Sequence, residues 1–162
     1  MSVDQITTAL AADFSGMTDV ADVTRILFRL GLSAALGALL GYERESLGKS
    51  AGIRTHALVA LGAALFVLAP LESNSDQNAV SRVIQGLVAG IGFLGAGAIV
   101  KGQPGEEIRG LTTAAGIWCT AAVGMTVALG HAALAIAVTL VVLGVLRVLP
   151  VATPDPAPSK KS

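Results

Sequence analysis

Long runs without a charged residue dominate the pattern of this chain. Four of them hold 13, 17, 18 and 37 residues, and they separate Arg29 from Glu43, Arg54 from Glu72, Arg82 from Lys101 and Arg109 from Arg147. The hydrocarbon core of a bilayer is crossed by roughly 20 helical residues, so runs of this length predict transmembrane helices. The last run is too long for one span and predicts two, with a break at Gly130 and His131.

The sequence therefore predicts an all-α fold, a membrane helix bundle with five transmembrane helices at 24–42, 55–71, 83–100, 111–129 and 132–149. Composition supports this, because the mean hydropathy is +0.72 and only 14% of residues are charged, against roughly a quarter in soluble domains. We predict three regions: an N-terminal extracytoplasmic segment (1–23), a transmembrane domain (24–149) and a disordered, proline-rich cytoplasmic tail (150–162).

The basic residues are unevenly divided between the two predicted membrane faces. Eight of the 11 belong to the face that holds the first loop, the third loop and the C-terminus. Cytoplasmic loops carry the excess of Lys and Arg, so we expect the C-terminus inside and the N-terminus outside.

The sequence GIGFLG at positions 90–95 matches the dinucleotide-binding fingerprint letter for letter. It lies inside an uncharged run, and Ala115 stands where the ribose-binding acid belongs, so we reject that interpretation. Small residues allow membrane helices to approach closely. We therefore predict helix packing at nine glycines: Gly37, Gly41, Gly86, Gly90, Gly92, Gly95, Gly97, Gly116 and Gly124.

The spacing of these glycines predicts that the first, third and fourth spans form a tight core, and that leucine at Gly90 or Gly116 destabilises it. The bulky fifth span is expected to face lipid. An alternative remains open for the third span, in which the glycine-rich helix breaks and its carbonyls bind an ion.

Polar residues gather at the predicted cytoplasmic ends of the helices. The first and third loops both enter a helix through Ile-Arg, which predicts a cluster of Arg54, Arg109 and Glu43. The cluster is either an anchor, in which Glu43 or Glu45 pairs with one of the arginines, or a site for phosphate, carboxylate or a metal. His56 is either a proton-sensing group or an interfacial polar residue. No pattern indicates an enzyme, a cofactor site or a nucleic-acid surface.

Four ordered blocks, GYERE from position 41, AGIRTHALV from 51, GIGFLGAGAI from 90 and GLTTAA from 110, resemble the membrane domain of MgtC/SapB proteins. The resemblance covers about 25–148. The positions that match the family motif form the candidate functional patch, without individual roles: Glu43, Arg44, Glu45, Arg54, Thr55, His56, Arg82, Arg109, Thr112 and Thr113. The metal, if any, stays unknown.

The resemblance implies a multi-pass protein of the bacterial inner membrane, linked to growth in low magnesium, acid adaptation and survival in host cells. It favours a regulatory module that acts on another membrane complex, which in some members is the proton-driven ATP synthase. The alternative is a transporter or channel for Mg²⁺ or another ion. The soluble ACT-like domain of many members is not expected here. The expected partners are the lipid bilayer and a membrane complex, with further copies of the chain as an alternative and no nucleic acid.

Overall fold

Six helices account for most of the computed structural model, which describes residues 2–15, 19–73, 76–101 and 108–149. In chain order the elements are α1 (Val3–Ser15), α2 (Val20–Ser46), α3 (Ile53–Glu72), α4 (Gln77–Ala98), β1 (Val100–Lys101), β2 (Ile108–Arg109), α5 (Leu111–Ala128) and α6 (Ala132–Val148). The predicted tail, 150–162, lies outside the described residues.

Five apolar helices follow α1, as predicted. Helices α2 to α5 are long and apolar enough to cross a membrane, and α6 is a shorter apolar helix. With 17 residues, α6 is at the lower limit of the usual length of a span. The all-α membrane bundle is confirmed.

The break in the longest run lies at the predicted position. Gly130 has a φ of 89°, a left-handed conformation that glycine adopts without steric cost. Its N–H donates to the carbonyl of Val127, and the N–H of His131 donates to the carbonyl of Thr126. These two bonds close the end of α5 in the manner of a Schellman motif, and α6 begins at once.

Two helices begin a full turn or more before the start that the uncharged runs predict. Helix α2 begins at Val20, inside the segment predicted to precede the membrane, and Asp19 caps it by accepting a hydrogen bond from the N–H of Ala21 at 2.8 Å. Asp76 caps α4 in the same way through Ala79, at 2.7 Å. Caps require polar residues, so a search for apolar runs leaves out the first turn.

Three elements were not predicted: one helix and two short strands. Helix α1 occupies the N-terminal segment. After α4, β1 pairs with β2 in an antiparallel ladder in which Val100 is opposite Arg109 and Lys101 is opposite Ile108. Strands of two residues carry no periodicity that a sequence pattern can reveal.

The core of the bundle is formed by α2, α3 and α5, and α5 also contacts α4 and α6. This corrects the prediction that the first, third and fourth spans form the core, because α3, the second span, takes the place of α4. The reason is the alanine face of α3, where Ala60, Ala63 and Ala64 are buried. Alanine permits a close approach almost as well as glycine does.

On α2 and α5, glycines lie at helix contacts, as their spacing in the sequence predicts. A Cβ added to Gly37 would lie 2.5 Å from the carbonyl oxygen of His56, and one added to Gly41 would lie 2.6 Å from that of Gly52. A Cβ on Gly124 of α5 would overlap the carbonyl oxygen of Ala60. The backbone of α3 is therefore seated directly on glycines from both neighbouring helices.

The glycines of α4 are the main error in the packing prediction. A Cβ on Gly86, Gly90, Gly92 or Gly97 would meet no described atom within 4 Å, and only Gly95 approaches a neighbour, 3.7 Å from the Cβ of Ala114. A different face of the helix packs inward: Val80, Ile84, Leu87 and Ile91 belong to the buried clusters or pack against them. Helix α4 therefore packs through its bulky residues, and Gly86, Gly90, Gly92 and Gly97 stay exposed.

Candidate functional site

Three ionisable side chains are buried together where α2 ends and α3 begins. Glu43 and Arg44 lie in the last turns of α2, and His56 lies in the first turn of α3. Their relative exposures are 3%, 3% and 0%. Charged residues are almost never buried to this extent unless they are paired, so these three residues, called here the buried charge cluster, are the strongest candidate site.

Close helix packing brings His56 into this position. Gly37 and Gly41 allow α2 to contact the backbone of the first turns of α3. On the other side, Gly116 of α5 faces the imidazole ring, since a Cβ there would lie 3.5 Å from His56 Nε2. The ring is thus enclosed between α2 and α5, at a point where all three core helices meet.

One hydrogen bond defines the state of the ring. Nδ1 of His56 lies 3.0 Å from the carbonyl oxygen of Gly52. A carbonyl oxygen only accepts, so the hydrogen of the neutral ring resides on Nδ1. Nε2 then carries a lone pair, and it has no hydrogen-bond partner among the described residues.

Glu43 and Arg44 form a long ion pair without a hydrogen bond. Arg44 Nη1 lies 3.7 Å from Glu43 Oε2, which is an ion pair but too long for a hydrogen bond. Within the described part of the chain, both carboxylate oxygens of Glu43 and Nε of Arg44 also lack hydrogen-bond partners. Buried polar atoms are nearly always satisfied, so several exceptions in one place mark this cluster as the part of the bundle whose polar groups need an explanation.

The predicted cluster of Glu43 with Arg54 and Arg109 is wrong in its partners. Glu43 pairs with Arg44, its neighbour in sequence, whereas Arg54 and Arg109 are both exposed. Adjacent helical residues are usually expected to point apart. Here both are buried because α2 is flanked by α3 on one side and by α5 and α6 on the other.

The other residues of the candidate patch are not part of the buried charge cluster. Thr113 is buried, and Thr55 and Thr112 are exposed. Arg82 is exposed in the second turn of α4, at the far end of the bundle from Glu43, because α3 runs between the two ends. Glu45 caps α3: its Oε2 accepts a hydrogen bond of 2.8 Å from the N–H of Ile53.

One polar contact was missed from the sequence. Arg29 of α2 donates from Nη1 to the carbonyl oxygen of Ala128, at 3.0 Å. A cation at the carbonyl end of a helix is stabilising, so Arg29 fastens the end of α5 to α2. Its position near a membrane face predicts only that it reaches toward water.

A shallow groove of about 530 Å³ lies between α3, α4 and α5. Its lining is mainly apolar, with Leu58, Phe93 and Ile117, and Ser50 and Thr55 are its polar members. No group of three or more His, Cys, Asp and Glu side chains in the described ranges is arranged to hold a metal ion. The polar chemistry of the bundle is therefore concentrated in the buried charge cluster.

Comparison with known proteins assigns the family. The MgtC family profile matches residues 30–153, which include α3, α5, the second half of α2 and all three members of the buried charge cluster. The chain belongs to the MgtC family. Its resemblance to that family in four sequence blocks is thereby confirmed.

Relatives within the MgtC family are similar over the same region. Protein SrpB of Synechococcus elongatus is 46% identical over 114 residues, which are 64% of this chain and 63% of SrpB. Protein MgtC of Salmonella typhimurium is 46% identical over 116 residues, 70% of this chain and 48% of that protein, and Protein MgtC of Brucella abortus is 46% identical over 117 residues. The chain thus spans about half the length of the MgtC proteins that it matches. No solved structure matches it.

Proposed function

We propose that this MgtC family protein is a regulatory membrane module that binds another membrane complex through the outward face of α4. The observation that carries the proposal is the position of Gly86, Gly90 and Gly97, which line one side of α4. A Cβ added to any of the three would meet no described atom of another element within 4 Å. A smooth glycine surface that the bundle leaves uncovered is available to a helix of another protein.

The physics of the bilayer supports this use of the surface. Lipid chains are as apolar as leucine, so helices associate in membranes through close packing, and glycine permits the closest approach. Phe93 lies on the same side of α4 and is 82% exposed. The Phe93 ring and the adjacent row of glycines form a ridge and a groove, against which a partner helix can pack.

The cellular setting is part of the proposal. The unequal distribution of basic residues favours the inner membrane with the N-terminus outside and the C-terminus in the cytoplasm. The family resemblance favours adaptation to low magnesium and acid, with the proton-driven ATP synthase as the membrane complex. In this proposal the protein acts by association and catalyses no reaction.

Ion transport is the second candidate function, and the buried charge cluster is the observation that favours it. Ionisable residues inside membrane proteins commonly mark the paths of ions or protons. The groove beside Thr55 and Gly97 lies near one end of α4. Helix α4 is the glycine-rich span for which the sequence left open an ion-binding role.

Co-reconstitution in liposomes tests the proposal. A bacterial ATP synthase is reconstituted with and without the protein, and ATP synthesis driven by an imposed proton gradient is measured. We expect the protein to lower the rate. Gly90→Leu should weaken this effect by about fivefold or more, as for a residue at the centre of an interface. Gly144→Leu of α6 is the matched control, because a Cβ added to Gly144, which lies on another helix, would also meet no described atom within 4 Å.

The same vesicles distinguish the two candidates. Liposomes that contain the protein alone are loaded with a Mg²⁺ indicator, and flux is compared with that of empty liposomes. Flux above the background, with unchanged ATP synthesis in the first experiment, would establish transport in place of regulation. Equal inhibition of ATP synthesis by the Gly90→Leu and Gly144→Leu variants would show that α4 is not the binding surface.

A further inference from the structure

We propose that the buried charge cluster, Glu43, Arg44 and His56, is a proton-binding site in which Nε2 of His56 takes up the proton. Two observations point to a ligand of this kind. His56 is fully buried with a lone pair on Nε2, and Glu43 is buried with two acceptor oxygens. None of these three acceptors has a donor in the described part of the chain.

The backbone of α3 prepares the ring for this reaction. Because Nδ1 donates to the carbonyl of Gly52, that nitrogen keeps its hydrogen in both states of the ring. Protonation therefore adds one hydrogen at Nε2, forms one N–H bond and breaks none within the protein. The imidazolium that results retains its bond to Gly52, so proton uptake requires no rotation of the side chain.

The neighbouring charges make the added proton tolerable. Arg44 and Glu43 of α2 are the residues whose charges act on His56, and they offset each other while the ring is neutral. After proton uptake, Glu43 supplies a buried negative charge that acts on the imidazolium, and the cluster carries one net positive charge. A buried cation without such a counter-charge would be far more costly.

The other helices that enclose the ring contribute little charge. Helix α5 presents Gly116 to the ring, and its one titratable group, Cys119, lies a turn away and is half-buried. Glu45 and Arg54 lie nearby in sequence but are exposed, so solvent screens them. Among the described residues, Glu43 is therefore the negative charge that favours protonation at Nε2.

The site exchanges protons with the membrane face that holds the first loop. His56 is only three residues from the start of α3 at Ile53, whereas the rest of that helix lies between it and the opposite face. This inference does not depend on the regulatory role, since a regulator and a transporter can both use a bound proton. It would stand if the α4 surface had no partner.

Nitrogen NMR on the whole chain in lipid nanodiscs tests the proposal. The chain contains two histidines, so ring ¹⁵N labelling gives two sets of signals, and a His131→Gln variant assigns them. His131 is exposed and is the internal reference. We expect neutral His56 to carry its hydrogen on Nδ1, and Nε2 to become protonated within a titration between about pH 4 and pH 9.

Three variants measure the contribution of the surrounding charges. Glu43→Gln should weaken proton binding at Nε2 by about tenfold or more, because the counter-charge is lost. Arg44→Gln should strengthen proton binding at Nε2 by a similar factor. If Glu43→Gln fails to fold, the Arg44→Gln variant alone tests whether the cluster sets the proton affinity. Glu45→Gln is the matched control: it removes an exposed carboxylate from the same helix and should change the affinity less than about twofold.

The proposal is overturned if His56 keeps one protonation state throughout the titration while His131 changes. A neutral ring with its hydrogen on Nε2 would also refute it, since Nε2 would then already hold a hydrogen and could not take up the proton. Equal effects of Glu43→Gln and Glu45→Gln would show that the buried charge cluster does not determine the proton affinity.

Discussion

Individual glycines of this chain differ in what surrounds them. Gly124 of α5 packs against the backbone of Ala60, whereas a Cβ added to Gly144 of α6 would meet no described atom within 4 Å. Gly124→Ala should therefore destabilise the protein by about 1–3 kcal/mol, because the new methyl group forces α3 and α5 apart. Gly144→Ala should stabilise it slightly or leave it unchanged. Unfolding in mixed detergent micelles measures both.

An equal response of the Gly124 and Gly144 variants would contradict the packing described for α3 and α5. By the same reasoning, Gly90→Leu, expected from sequence to disrupt the core, should leave the free energy of unfolding nearly unchanged. Its side chain would extend from the outward face of α4 into open space.

Sequence spacing predicts a smooth helix surface but not what covers it. Gly37, Gly41 and Gly124 lie at contacts within the chain, and Gly86 and Gly90 have the same four-residue spacing on a surface that the chain leaves open. Which face of α4 packs depends on the apolar area of its other side and on the shape of α5. Neither quantity is contained in the spacing of small residues.

At the scale of elements, the junction between α4 and α5 depends on one residue. Gly110, at the start of α5, has a φ of 92°, and a Cβ there would overlap the carbonyl oxygen of Ala98, where α4 ends. Gly110→Ala should destabilise the junction through both the overlap and the left-handed backbone. The backbone alone costs about 1–2 kcal/mol in a residue with a side chain.

Gly48→Ala separates these two effects. Gly48 also has a positive φ, of 64°, but a Cβ there would meet no described atom within 4 Å. We expect Gly110→Ala to lower stability more than Gly48→Ala does, and hydrogen exchange to increase in the first turn of α5 in the Gly110 variant alone. Equal losses would mean that α4 and α5 are not in direct contact at this junction.

Element prediction succeeded where a single physical requirement dominates. The length of an uncharged run reflects bilayer thickness, so five apolar helices and the turn at Gly130 were predictable. The caps at Asp19 and Asp76 extend α2 and α4 beyond those runs. The two-residue strands after α4 depend on pairing between segments, which no local pattern contains.

At the scale of the whole molecule, the bundle has a closed side and an open side. Helices α2, α3 and α5 bury the charge cluster, and α4 and α6 pack on α5 at the periphery. The proposed proton site therefore lies within the most tightly packed region, while the proposed partner surface lies on α4. Because α5 contacts both α3 and α4, it is the element through which the two regions are connected.

The candidate site was only partly predictable from the sequence, because its composition depends on how several helices pack together. Glu43 and His56 were identified as candidates from the sequence, but Arg54 and Arg109 were expected as the partners of Glu43. The repeated Ile-Arg before α3 and α5 places these arginines in corresponding positions of the chain. Whether a side chain faces inward depends on how three helices are rotated against each other, and this rotation left Arg54 and Arg109 exposed.

Membrane orientation is the last expectation that belongs to the whole chain. The sequence predicts eight of the 11 basic residues on the side of the first loop, so this side, which holds the buried charge cluster, should be cytoplasmic. Single cysteines are introduced as Ser2→Cys and Leu47→Cys in a Cys119→Ala background, since both positions are exposed. In intact spheroplasts an impermeant maleimide should label Ser2→Cys and spare Leu47→Cys, which becomes reactive only after permeabilisation. The reverse pattern would place the first loop outside, and His56 would then exchange protons with the extracytoplasmic medium, where pH varies most.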